Sequence, residues 1–207
     1  MKRLTAFFTA LVLGAAMTVS AGCSDKKDDK VVLEESSIEY KDPESGARPV
    51  LSLSNTEGRA GETVEVKVFL EGCENKWAMC GVHFAYPMVL ECQLTTSDER
   101  FAKYKPGEAV SQMSGFTSAV WFDNRTEAME KNEQYSLFFC AASSADNGGD
   151  GEIATFYFTI PEDAAVGTVY PLEFFEYSGD MFLDTASDVN LQHYAFTNWK
   201  NGTITVV

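Results

Sequence analysis

Val64, Val66, Val68 and Leu70 alternate with Glu65, Lys67 and Phe69. A period of two puts every second side chain on one face, so this segment reads as a half-buried strand. The alternation returns along the chain. Over Ala78–Tyr86, Cys80, Val82, Phe84 and Tyr86 share one face, and Met79, Gly81, His83 and Ala85 share the other. Ala154, Phe156, Phe158 and Ile160 alternate with Thr155, Tyr157 and Thr159. Further strands are predicted over 50–54, 89–95, 118–123, 135–142, 170–177 and 203–206, nine in all. Gly58-Arg59-Ala60-Gly61 marks a turn. Helix signals are confined to 126–133, where Glu, Ala, Met and Lys favour one or two turns. Many short strands without intervening helices predict an all-β sandwich or barrel.

The front of the chain is built differently. Met1-Lys2-Arg3 is basic, Leu4 to Val19 is apolar and small, and Ser20-Ala21-Gly22 leads into Cys23. This is the layout of a bacterial export signal over 1–22. Ser-Ala-Gly-Cys resembles the lipobox of bacterial lipoproteins, although Ser20 stands where Leu is usual. The resemblance implies lipidation of Cys23 and anchoring to the outer face of the cell membrane. Ordinary cleavage and free secretion is the alternative. Acyl chains at ~0.8 kcal/mol per buried methylene hold such a protein firmly. Residues 24–48 are rich in Asp, Glu, Lys and Ser and read as a solvated tether, with the folded part at 49–207. A flexible chain of that length spans about 25–30 Å.

Asp and Glu total 31 against 16 Lys and Arg, a formal charge of −15. Losing Lys2 and Arg3 with the leader takes it to −17. Such a surface excludes nucleic acid as a partner, because phosphates need counter-charge. Catalytic chemistry is not visible either. There are two histidines, His83 and His193, no G-x-S-x-G and no standout acid pair. No C-x-x-C is present among Cys73, Cys80, Cys92 and Cys140, so no zinc site is expected. Export permits disulfides, but three of these cysteines sit in strand patterns that suit a small buried apolar residue. Asp146 to Gly151 lacks a calcium loop's third and twelfth ligands and reads as a turn. No enzyme, cofactor or metal is expected. Trp77, Trp121 and Trp199 would serve a rival reading, a carbohydrate-binding module that stacks sugars on exposed aromatics.

Four segments, in order, resemble one family. CGVHFAYPMVLECQL is similar to the third and fourth strands of a cohesin module. DGEIATFYFTIPEDAAVGTVYPLEF resembles a later segment of the same family, and VLSLSNTEGRAGETVEVKVFLEG and NGTITV resemble its opening and close. The likeness spans Pro49 to Val207. Gly81 stands where many cohesins place Asp, the Asp before Pro87 is absent, and 126–133 is an insertion.

The resemblance implies a nine-stranded jelly-roll sandwich that binds dockerins, the small calcium-loaded domains of plant-fibre-degrading enzymes and scaffold proteins. Binding would use one flat sheet face, with the calcium on the dockerin. A monomeric, non-catalytic cell-surface receptor is expected. The patterning suggests which residues form that face. Tyr135–Ala142 is apolar on both faces, yet one side must point outward. With Phe138 and Cys140 inward, Leu137, Phe139 and Ala141 would point out, Phe139 as the central anchor. Met79, Gly81, His83 and Ala85 would adjoin them, Gly81 leaving room for close approach. The family resemblance adds Trp121.

Overall fold

The computed structural model describes residues 39–95, 98–122 and 126–207. In chain order the strands are β1 (Val50–Leu53), β2 (Asn55–Gly58), β3 (Thr63–Glu71), β4 (Met79–Pro87), β5 (Glu91–Cys92), β6 (Tyr104–Pro106), β7 (Phe116–Phe122), β8 (Gln134–Ala142), β9 (Gly151–Thr159), β10 (Val169–Phe175), β11 (Met181–Leu183) and β12 (Gly202–Val206). Each of the nine predicted strands is present. The additional three, β2, β6 and β11, are too short to show a period.

One sheet runs β1-β3-β9-β5, with β6 also on β9. The other runs β2-β12-β10-β4-β8-β7, with β11 also on β4. Nearly all pairings are antiparallel; β12 with β2 is parallel. The two sheets stack through the alternating apolar faces read from the sequence. Val64, Val66, Val68 and Leu70 of β3 are buried, as are Cys80, Val82, Phe84 and Tyr86 of β4. Rings cross the gap edge to face: Phe84 on Phe156 at 5.4 Å and Tyr86 on Phe158 at 4.9 Å between centroids. This is a two-layer β-sandwich of jelly-roll type.

Among the described residues two α-helices interrupt the strands. α1 (Glu127–Lys131) is the predicted insertion, with the Thr126 hydroxyl accepting the Met129 N–H at its N-cap. α2 (Val189–Thr197) was not foreseen, and it carries His193. Asp188 caps it by accepting the Asn190 N–H, and Leu191, Ala195 and Phe196 bury one side. Val, Asn, His, Tyr, Phe and Thr are indifferent helix formers, so tertiary packing rather than propensity holds this helix.

Residues 39–48, expected to belong to the tether, are packed onto the fold. The Tyr40 ring stacks on His193 with centroids 3.6 Å apart. The Lys41 and Glu44 N–H groups donate to Asn190 Oδ1 and Asp188 Oδ2. Arg48 lies over the Tyr194 ring, and Pro43 and Ala47 are buried. The leader, Cys23 and the rest of the tether lie outside the described residues.

Candidate interaction face

The ladder between β4 and β8 decides which side chains face out. Cys80 pairs with Ala141, Val82 with Phe139 and Phe84 with Leu137. Directly paired residues share a face, so the core side of β4 dictates the core side of β8. Leu137, Phe139 and Ala141 are accordingly buried in the core, at 0%, 0% and 2% exposure. The expectation that these three point outward is therefore corrected. Phe138 and Cys140 take the outer face instead. The error was one of phase: a strand apolar on both sides does not announce which side is inside.

Trp121 is corrected for the same reason. It pairs with Leu137, turns inward, and packs at the core rim. Its Nε1–H donates to the Tyr86 hydroxyl at 2.7 Å, and its ring meets Tyr135 at 5.1 Å. The other tryptophans also pack inward. Trp77 is buried against Phe182, and Trp199 lies against Phe174 and Phe196. No tryptophan forms an exposed sugar-stacking platform.

Met79, Gly81, His83 and Ala85 do lie on the outer side of the second sheet, opposite Cys80, Val82, Phe84 and Tyr86. Only Met79 is partly exposed; the other three are covered by neighbouring side chains. Gly81 explains part of the cover. A Cβ there would stand 3.1 Å from Phe138 Cζ and 3.4 Å from Met181 Cγ. The room that glycine leaves is used by the protein's own Phe138.

His83 sits at the centre of this face, 4% exposed. Phe138, Phe175, Tyr177 and Phe122 surround its ring, with centroids at 4.6, 5.3, 5.4 and 6.0 Å. His83 Nδ1 lies 2.6 Å from Asp180 Oδ1, and Asp180 Oδ2 accepts the Tyr177 N–H at 2.7 Å. With Asp180 as a carboxylate, Nδ1 is the donor. This pair pins the turn between β10 and β11, two strands that occupy successive parts of one edge of β4. His83 Nε2 and Ser136 Oγ, both buried on this outer side, have no protein partner. The face thus carries half-buried Phe122, Phe138, Phe175 and Tyr177, with Met181 exposed at its margin.

The outer face of the first sheet is of another kind. Lys67 reaches Glu152 at 3.0 Å and Glu65 at 3.9 Å. The Thr155 hydroxyl donates to Glu152, and Thr63 bonds Thr159 at 3.0 Å. The hydrogen bond to Glu152 holds the Lys67 ammonium above its usual pKa. This face also carries exposed Glu71 and Glu91, and its rings are Phe69 and Tyr157, the latter under Lys103, whereas the second sheet gathers its rings into one cluster around His83. Exposed apolar patches rimmed by polar residues mark docking sites, and such patches are rich in aromatics and poor in charge at their centre.

Two acids of the turn read from 146–151 take structural partners. Asp150 accepts the N–H groups of Gly72 and Cys73, and Asp146 accepts from Thr185. Among the described residues no group of three or more His, Cys, Asp or Glu could hold a metal ion. Cys73, Cys80, Cys92 and Cys140 are all unpaired. Burial pushes the Cys73 and Cys92 thiols up to about 12 from 9.0, and raises Cys80 as well. In native protein at pH 8 a thiol reagent should leave these three unlabelled until urea is added, and labelling of all three at the unfolded rate would contradict their burial. Unfolding frees thiols of ordinary pKa, which ionise while the folded ones do not. Their contribution to stability is therefore complete below pH 9 and is lost as pH rises towards about 12.

Comparison with known proteins follows the same lines. The family model described as Cohesin domain matches residues 49–206. A type III cohesin module from the cellulosomal ScaE cell-surface anchoring scaffoldin of Ruminococcus flavefaciens is 23% identical, with a TM-score of 0.65, covering 78% of this chain and 89% of that one. A type I cohesin–dockerin complex of OlpC from Clostridium thermocellum is 16% identical, with a TM-score of 0.55 and coverage of 82% and 98%. A non-cellulosomal cohesin from the archaeon Archaeoglobus fulgidus is 17% identical, with a TM-score of 0.51 and coverage of 78% and 92%. At such identities the structural likeness establishes a shared fold. No curated protein matches.

Proposed function

The chain belongs to the cohesin domain family, whose members are non-catalytic protein-interaction modules, and from that footing we propose that it is a receptor for a dockerin. The observation that carries the reading is the asymmetry between the two outer faces. One carries exposed acids, the Lys67–Glu152 pair and threonines, with Phe69 and Tyr157 as its rings; the other gathers Phe122, Phe138, Phe175, Tyr177 and Met181 around a buried histidine. A folded partner gains most where rings leave water and no charge is stripped of its solvent. Solved relatives described as cohesin–dockerin complexes support the class of partner.

Dockerins supply calcium themselves, so this chain needs none. Its role is mechanical: Cys23 carries lipid, the acidic segment after it gives reach, and the sheet face captures the partner beside the cell. Among the described residues no helix is long and apolar enough to cross a membrane.

Calorimetry of the chain against a panel of recombinant dockerins from the producing organism tests the reading. At least one should bind with calcium and be released by a chelator, because dockerins lose their fold without metal. Failure of the whole panel, or binding that survives chelation, would remove the dockerin reading. Labelled fatty acid should enter the wild-type chain in its host and not the Cys23→Ser variant; equal incorporation would remove the anchor.

A further inference from the structure

Beside the aromatic patch, on the same outer side, lies a groove of about 440 Å³. Ala85 lies at its base, Ala128 and Met129 of α1 form one wall, and Phe175, Glu173 and Glu176 form the other. It exists because α1 stands at the start of β8, leaving a trench between the helix and β10. Its lining is apolar near the base and acidic at the rim.

Among the described residues the charge around this groove is mainly acidic. The seven strands of the second sheet contain no Lys or Arg, while the first sheet carries Lys67 on β3 and Lys105 on β6. Glu173 and Glu176 are exposed, and neither forms an ion pair among the described residues. Gln134, itself 9% exposed, donates its Nε2–H to Glu173 Oε2 at 3.1 Å and so orients that carboxylate. Glu127 and Glu130 add negative charge on α1, offset in part by Lys131 in its last turn.

We propose that this groove is a charge-reading subsite that accepts a Lys or Arg side chain from the docking partner. The stem of such a residue would lie along Ala85, Met129 and Phe175, and its cationic head would meet Glu173 and Glu176. Long basic side chains bury their methylenes while keeping the head wet, which matches an apolar base under an open acidic rim. The groove holds a few side chains and not a helix, so it reads one residue of the partner while the aromatic patch takes the partner's apolar surface. The inference rests on the reading of this face as the docking surface. It adds that the partner presents a cation on the side of the interface nearest α1. A partner with an acid there would meet two unpaired carboxylates and be rejected.

The test uses the full chain and a calcium-loaded dockerin that binds it, at low and high salt. The Glu173→Gln/Glu176→Gln variant keeps shape and removes charge. It should bind roughly tenfold more weakly at low salt and lose most of the salt dependence. Glu71→Gln/Glu91→Gln, which changes net charge equally on the other sheet, should leave affinity within about twofold. Glu173→Lys should weaken binding further. If Glu173→Gln/Glu176→Gln binds with wild-type affinity and salt dependence while Phe138→Ala weakens binding, the subsite is overturned and the docking face stands. If Phe138→Ala also leaves binding unchanged, both fall. A loss of affinity equal for the two glutamine pairs assigns the effect to net charge and overturns the subsite as well.

Discussion

Phe138→Ala should weaken dockerin binding by about 2 kcal/mol, near thirtyfold, while leaving the fold close to its wild-type stability. The next residue should behave in the opposite way: Phe139→Ala should cost about 3–5 kcal/mol of stability. Phe139 is fully buried, edge-on to Tyr104 at 5.7 Å and Phe156 at 6.4 Å between centroids, so its removal opens a cavity between the sheets. Phe138 lies half-buried across Gly81 and beside His83 on the outside, where its removal opens nothing to the core. Thermal melts of the two variants, paired with calorimetry of each, separate the roles. A strong loss of stability in Phe138→Ala, with binding intact, would show that its ring supports the fold and not the contact. Phe138→Asp should weaken binding more than alanine, since an unpaired carboxylate would be desolvated on docking.

The second large effect is expected at Asp180. It and His83 expose 2% and 4% of their side chains, and they are 97 residues apart in sequence. Asp180→Ala would leave both ring nitrogens of His83 without a protein partner, since Nε2 already lacks one. It would also remove the Asp180 oxygen that accepts the Tyr177 N–H. The cost should be about 3 kcal/mol, a fall in Tm of roughly 10 °C for a chain of this size. Binding should weaken with it, because the turn held by this pair positions Phe175 and Tyr177 against the patch. Asp180→Asn keeps one acceptor and should recover part of both losses. A melting temperature for Asp180→Ala within about 2 °C of wild type would show that the turn is held by its ring contacts alone.

Particular residues show where the sequence was sufficient. Val64 to Leu70 and Ile153 to Ile160 each alternate cleanly, so their strand nature and inner faces were both legible. The ordered resemblance of four segments named the fold family before any coordinate. The outer placement of Met79, Gly81, His83 and Ala85 was legible too, because Cys80, Val82, Phe84 and Tyr86 formed the heavier face. Tyr135 to Ala142 was legible as a strand but not in phase, since Leu137 and Phe138, or Phe139 and Cys140, are equally fit for a core. Trp121 was misplaced with it, because its orientation follows from pairing with Leu137. Residues 39–48 looked like tether because their contacts to α2 rest on Tyr40, Pro43, Ala47 and Arg48, scattered among polar residues.

By itself the amino-acid sequence determined a two-layer β fold of the cohesin family and an acidic surface unsuited to nucleic acid. The β class resides in local period, the family in the ordered likeness of four segments and the acidity in net charge, none of which needs knowledge of spatial neighbours. Only the tertiary structure decided that Phe138 rather than Phe139 faces outward, that Asp180 meets His83, and that α1 leaves a groove beside Glu173. Each of these depends on strand register or on contacts between distant segments, and a shift of one residue in register reverses every side chain on a strand.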